Sequence, residues 1–172
     1  MITLLQAALL LFFPVLVIVG ALRDLTSFTI PNWISGLLIV AFFPAALLVG
    51  LAPAAIGTHL LVGCAALAVG IVMFALRWIG GGDAKLFAAA ALWLGAPAAL
   101  SYLVMTGLAG GALALALISL RSPILRPYVL SGPAWFGRLA DPEEAVPYGV
   151  AIAAGALATF ADSPLMQAWP GF

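Results

Sequence analysis

Asp83 follows three successive glycines, Gly80, Gly81 and Gly82, where one apolar run ends (Arg77-Trp78-Ile79) and another begins (Lys85-Leu86-Phe87). Glycines there remove every side chain, so another stretch of backbone can come close. An ionisable residue at the edge of a membrane span is a functional candidate in its own right. It requires a chemical partner, and Asp24, at the end of the first apolar run, is the one other carboxylate in a comparable position. Two aspartates sharing a site resist double ionisation, so one keeps a proton while the other is charged. The charged member can deprotonate a water that attacks a peptide carbonyl. The protonated member can polarise that carbonyl and then protonate the leaving amine. That chemistry needs neither metal nor cofactor, and none is expected.

The same residues also suit other roles. Asp83 is placed to cap a helix, and Asp24 to sit at an interface paired with Arg23 or Lys85. Intramembrane carboxylates also serve as ion or proton relays, so a non-enzymatic transporter or assembly component stays open at this point. Helix ends separate the two candidates: a dipole favours a carboxylate at the N-terminus expected near Asp83 and disfavours one after the C-terminus expected before Asp24.

Other chemistries find less support. No serine site with a partner histidine is present, and His59, near an uncharged turn, reads as structural or interfacial. No His, Glu and Cys cluster has metal-ligand spacing. The glycine run lacks the Gly-Lys-Ser/Thr ending of a phosphate loop. Cys64 is the single cysteine, which excludes disulfides within the chain; it reads as a small core residue. The tryptophans read as interfacial anchors.

The elements that must position the two aspartates are membrane helices. The chain of 172 residues is 66% hydrophobic and only 7% charged, with apolar runs broken by short polar patches. That pattern predicts an all-α polytopic membrane protein in a lipid bilayer, forming one domain over 1–172. The alternating segments of a β-barrel are absent, and a net charge near zero offers nothing to nucleic acid. The first charge, Arg23, follows the first apolar run, so that run is expected to be a retained span rather than a cleaved signal. Spans are predicted at 2–22, with Pro14 as a kink, at 32–51, capped by Asn32, and at 54–79. A short helix at 84–96, only about 20 Å long, needs a protein-enclosed setting. Spans at 98–120 and 147–161 complete about six, flanking a polar, Pro-rich connection at 121–146. With six alternating spans, Arg23, Arg77, Lys85, Arg121, Arg126 and Arg138 share one side, which the positive-inside rule makes cytoplasmic. Both termini then lie outside, and Asp24 and Asp83 meet at the cytoplasmic face.

Asp24 with Ile30-Pro31-Asn32, then Gly80-Gly81-Gly82-Asp83-Ala84-Lys85-Leu86, then Pro147-Tyr148-Gly149 together resemble the type IV prepilin peptidases, the Gly-x-Gly-Asp aspartic proteases of the bacterial inner membrane. The resemblance implies that Asp24 and Asp83 are the catalytic pair, at the cytoplasmic edge of the membrane. It implies substrates that are prepilins or pseudopilins, cut after a glycine that ends a basic leader and precedes an apolar helix. Gly80 and Gly82 match the motif glycines and would shape the site; Lys85 matches the basic position after it and is a possible substrate contact. Asp141, Glu143 and Glu144, in the predicted cytoplasmic connection, suit either a solvated acidic loop or the attraction of a basic leader. The paired cysteines of the larger, methylating members have no counterpart, so N-methylation is not expected and S-adenosylmethionine is not an expected cofactor. In its short form the chain resembles the peptidases of tight-adherence (Flp-type) pilus systems.

Overall fold

Alanine and glycine decide the middle of the bundle. The stretch Ala88-Ala89-Ala90-Ala91-Leu92-Trp93-Leu94 is apolar on every face, so it can be enclosed by protein or face lipid. In the computed structural model, which describes residues 2–171, all seven of these side chains are buried. The chain is all-α: α1 (Ile2–Ser27), α2 (Asn32–Leu48), α3 (Pro53–Ala75), α4 (Gly81–Leu120), α5 (Arg126–Leu130), α6 (Ala134–Leu139), α7 (Tyr148–Thr159) and α8 (Pro164–Gln167), with a 3₁₀ turn at Phe160–Asp162 before α8. Among the described residues, four segments are long and apolar enough to cross a membrane: α1, α3, α4 and Tyr148–Gln167; α2 is a shorter apolar helix.

The 40 residues of α4 are interrupted at Gly95, which has φ 68° and ψ −178°. Pro97, two residues later, has no N–H to continue the helical ladder. The first half, 81–94, stands in place of the short helix predicted at 84–96, beginning three residues earlier and ending at the break, and α1, α2, α3 and α7 all pack against α4. His59 explains why glycine stands at the break. A Cβ on Gly95 would lie 2.6 Å from His59 Cε1 and 2.7 Å from Nε2. The buried imidazole also donates from Nδ1 to the Leu92 carbonyl, 2.7 Å away, where the helix is about to break. His59 is thus structural, as expected. Around it Phe42, Trp93 and Phe13 form an aromatic cluster.

Several sequence expectations need correction. Helix α1 runs to Ser27, five residues past the predicted end, because its polar last turn is satisfied locally. Thr26 and Ser27 donate their hydroxyls to the Leu22 and Arg23 carbonyls, and Phe28 N–H reaches Asp24 O. Asp24 therefore lies inside the helix. Helix α3 stops four residues early, at Ala75: Arg77 adopts φ 62°, and the Arg77 and Trp78 N–H groups close back onto Phe74 and Met73 carbonyls. Helix α2 likewise ends at Leu48 rather than 51. The connection at 121–146 contains α5 and α6. It is folded back by Arg121, which donates to the carbonyls of Leu139 and Glu144, and by an Arg138–Glu144 ion pair at 2.6 Å. The last run breaks after Thr159. Cys64 is exposed, not core, because α3 buries only His59 and Gly70. Trp93 is core rather than an anchor and donates Nε1–H to Leu38 O at 2.8 Å, whereas Trp33, Trp78 and Trp135 are exposed.

Candidate active site

Three helix ends converge on one cavity. Asp24 comes from the last turns of α1, Asp83 from the first turn of α4, and Gly149 from the first turn of α7. A cavity of about 800 Å³ is lined by both aspartates together with Phe28, Trp78, Val146 and Tyr148. A smaller one of about 240 Å³, on the side of Gly80, Gly81 and Gly82, is also lined by both. The side chains themselves are nearly shielded, Asp24 being 5% and Asp83 7% exposed. Two carboxyl groups thus face one enclosed but open-mouthed space beside apolar walls.

Each carboxyl is held by a backbone N–H at a helix start. Asp83 Oδ2 accepts from Gly80 N–H at 3.0 Å, closing the first turn of its own helix. Asp24 Oδ2 accepts from Gly149 N–H at 2.7 Å, although the two residues are 125 positions apart. Pro147 precedes α7 without a side-chain cap, so Asp24 serves α7 as a cap supplied from another helix. Asp24 therefore meets a helix N-terminus as well as lying near a C-terminus. The expected asymmetry between the aspartates, drawn from their own helices alone, is offset by α7. Asp83 Oδ1 is buried without a protein partner.

Ile30 sets the spacing of the three ends. A Cβ on Gly82 would lie 3.0 Å from Ile30 Cβ and 3.2 Å from its carbonyl oxygen; one on Gly149 would lie 2.8 Å from Ile30 Cδ1. Ile30 is wedged between two glycines, which lets the segment after α1 lock α4 to α7. A Cβ on Gly80 would lie 3.0 Å from Asp83 Oδ2. Gly80 and Gly82 thus leave empty the space that the Asp83 carboxyl and Ile30 occupy. Gly70 of α3 does the same, where a Cβ would lie 3.0 Å from Ala84 Cβ.

The remaining sequence candidates lie outside this cavity. Lys85 is exposed and donates from Nζ to Asn32 Oδ1 at 2.8 Å. Asn32 makes no side-chain cap bond for α2, and this contact is what its amide does instead. Asp141 Oδ1 accepts from Glu143 N–H, and Glu144 is engaged by Arg138. Arg138 in turn stacks its guanidinium over the Phe28 ring, 4.6 Å from the centroid, which ties the 121–146 connection to the cavity wall. Gly149 escaped sequence reasoning as a site residue. Its signal was a glycine two positions after Pro147, at the start of an apolar run following the long polar connection.

A family model described as the type IV leader peptidase family matches residues 11–115. Comparisons with curated proteins and with solved structures find no match. The matched stretch is well over half of the chain and contains both aspartates and the glycines before the second. With two carboxyl groups facing one cavity at the ends of apolar helices, it identifies a membrane aspartic endopeptidase: the chain belongs to the type IV leader peptidase family.

Proposed function

We propose that the chain removes the basic leader from type IV prepilins or pseudopilins at the cytoplasmic face of the bacterial inner membrane, with Asp24 and Asp83 as the catalytic pair. The observation that carries the reading is the shared cavity, lined by two aspartates remote in sequence and each fixed by a backbone donor. One carboxylate takes a proton from water as its oxygen bonds to the scissile carbonyl carbon. The other, protonated, polarises the carbonyl oxygen. As the C–N bond breaks, that proton passes to the leaving amine, and the pair is left holding one proton again. The products are a leader ending in a carboxylate and a mature chain with a free amine. Methylation is no part of this reading, which favours a short-form, Flp-type peptidase.

The break in α4 supports a six-span membrane arrangement. At about 1.5 Å per residue, 40 residues would reach about 60 Å, twice the hydrocarbon core. Counting its halves separately, and α2 as a pass, makes six. All Lys and Arg residues then fall on the side that holds Asp24 and Asp83, which is cytoplasmic by the positive-inside rule, and both termini lie outside. One domain spans 1–172.

The test is pilin length on an immunoblot from cells carrying Asp24→Asn or Asp83→Asn. Each variant is expected to insert and fold normally while uncut prepilin accumulates. Normal processing by Asp24→Asn would show the pair to be misassigned. Unchanged pilin length with altered ion flux would instead favour a transporter.

A further inference from the structure

An apolar groove of about 450 Å³ leads away from the catalytic cavity into the membrane-spanning part of the bundle. The two share Trp78, Ile79 and Tyr148 as lining residues, so the groove begins where the catalytic cavity ends, with these three residues between them. From that junction the groove follows the second half of α4 and is also lined by Met73 and Val69 of α3, Phe87 of the first half of α4 and Ile152 of α7. Its residues on the second half of α4 run from Leu103 to Ala114, which at about 1.5 Å per residue is a length of about 16 Å, or half the hydrocarbon core.

Two glycines on this wall face open space. Gly110 packs on Tyr148, 3.3 Å from where its Cβ would lie, but Gly107 and Gly111 have nothing within 4 Å. Each costs a helix about 1 kcal/mol relative to alanine. Four residues apart, they present bare backbone to the groove, the surface against which a second membrane helix packs closely. A second apolar groove, of about 410 Å³, lies between α2, α3 and the first half of α4, but it shares no lining residue with the catalytic cavity.

We infer that the groove beside Gly107 and Gly111 seats the apolar helix of the substrate, the segment that follows the scissile bond. This rests on the proposed leader cleavage: a peptide bond held between Asp24 and Asp83 leaves its apolar continuation at the junction where the groove begins. The occupant lies along α4, with its first turn near Gly111 and later turns near Gly107. Selection of substrate is then partly a matter of how closely that helix approaches bare backbone.

Site-directed cross-linking tests this in membranes. In a Cys64→Ser background, Gly111→Cys and Gly107→Cys are each paired with a prepilin carrying one cysteine at successive helix positions. The expected result is disulfide formation from both, with the best partner of Gly107→Cys lying about one turn further from the cleavage site. Gly36→Cys, in the other groove, is the comparison. Kinetically, Gly111→Leu should raise KM for prepilin about tenfold with kcat retained, as loss of one close helix contact implies. Cross-links from Gly36→Cys alone, or none while prepilin is still cut, would overturn the inference. Failure of the wild-type chain to cut any prepilin would instead overturn the leader-cleavage reading itself.

Discussion

Gly149→Ala is the sharpest test of how the site is held. The new Cβ would lie 2.8 Å from Ile30 Cδ1, 2.9 Å from Asp24 Cβ and 2.9 Å from Asp24 Oδ2. Carbon contacts settle at about 3.5–4.0 Å, so each neighbour must give by roughly 0.6 Å or more. Ile30 Cδ1 can turn aside, but Asp24 Cβ is fixed to the α1 backbone. Asp24 must therefore move, and with it the 2.7 Å bond from Gly149 N–H is strained. Overpacking of this kind costs about 1–3 kcal/mol in stability. A displacement near 1 Å in a catalytic group costs on the order of 10² in rate.

The assay is cleavage of purified prepilin by enzyme in detergent or proteoliposomes, with folded yield followed by size exclusion and a thermal melt. Gly149→Ala should lose about 10² in kcat while the folded species persists. Gly57→Ala, whose Cβ would meet nothing within 4 Å, should match the parent. Adding Ile30→Val removes Cδ1, one of the three crowded atoms, and should restore part of the rate. Wild-type kcat in Gly149→Ala would refute the claim that α7 fixes Asp24.

Asp24→Asn and Asp83→Asn should each lower kcat by 10² or more, on the order expected for lost acid–base catalysis, without changing the thermal melt by much. A pair that must hold one proton gives a bell-shaped kcat against pH, falling at the acid limb as both protonate and at the alkaline limb as both ionise; a flat profile would argue against the dyad. Gly95→Ala should act on stability, losing about 1–3 kcal/mol in a melt through its φ of 68° and its contact with His59. Neutralising Asp141, Glu143 and Glu144 together should raise KM for prepilin and weaken its salt dependence; unchanged kinetics would remove them from leader recognition.

What could be read in the sequence was local chemistry and what could not was closure in space. The three-glycine run before Asp83 and the apolar periodicity announced a helix start with room around it, and α4 begins there. The short central helix was legible because Gly95 and Pro97 bracket a break in the chain that no tertiary contact has to create. The end of α1 was misplaced because hydroxyls of Thr26 and Ser27 satisfy backbone carbonyls and so extend a helix through residues that look like a loop. Cys64 and Trp93 were misread for a related reason: in a run apolar on every side, hydropathy does not say which face meets lipid and which meets protein. The cap that Asp24 supplies to α7 was beyond reach because its two partners lie 125 residues apart. Yet that contact explains the shape of the site better than any local signal. Ile30 fits only where Gly82 and Gly149 both lack a side chain, so a substitution at either glycine is felt at the other two helix ends. The site is thus a joint between α1, α4 and α7, and Asp24 fastens it, besides the reagent's part proposed for it.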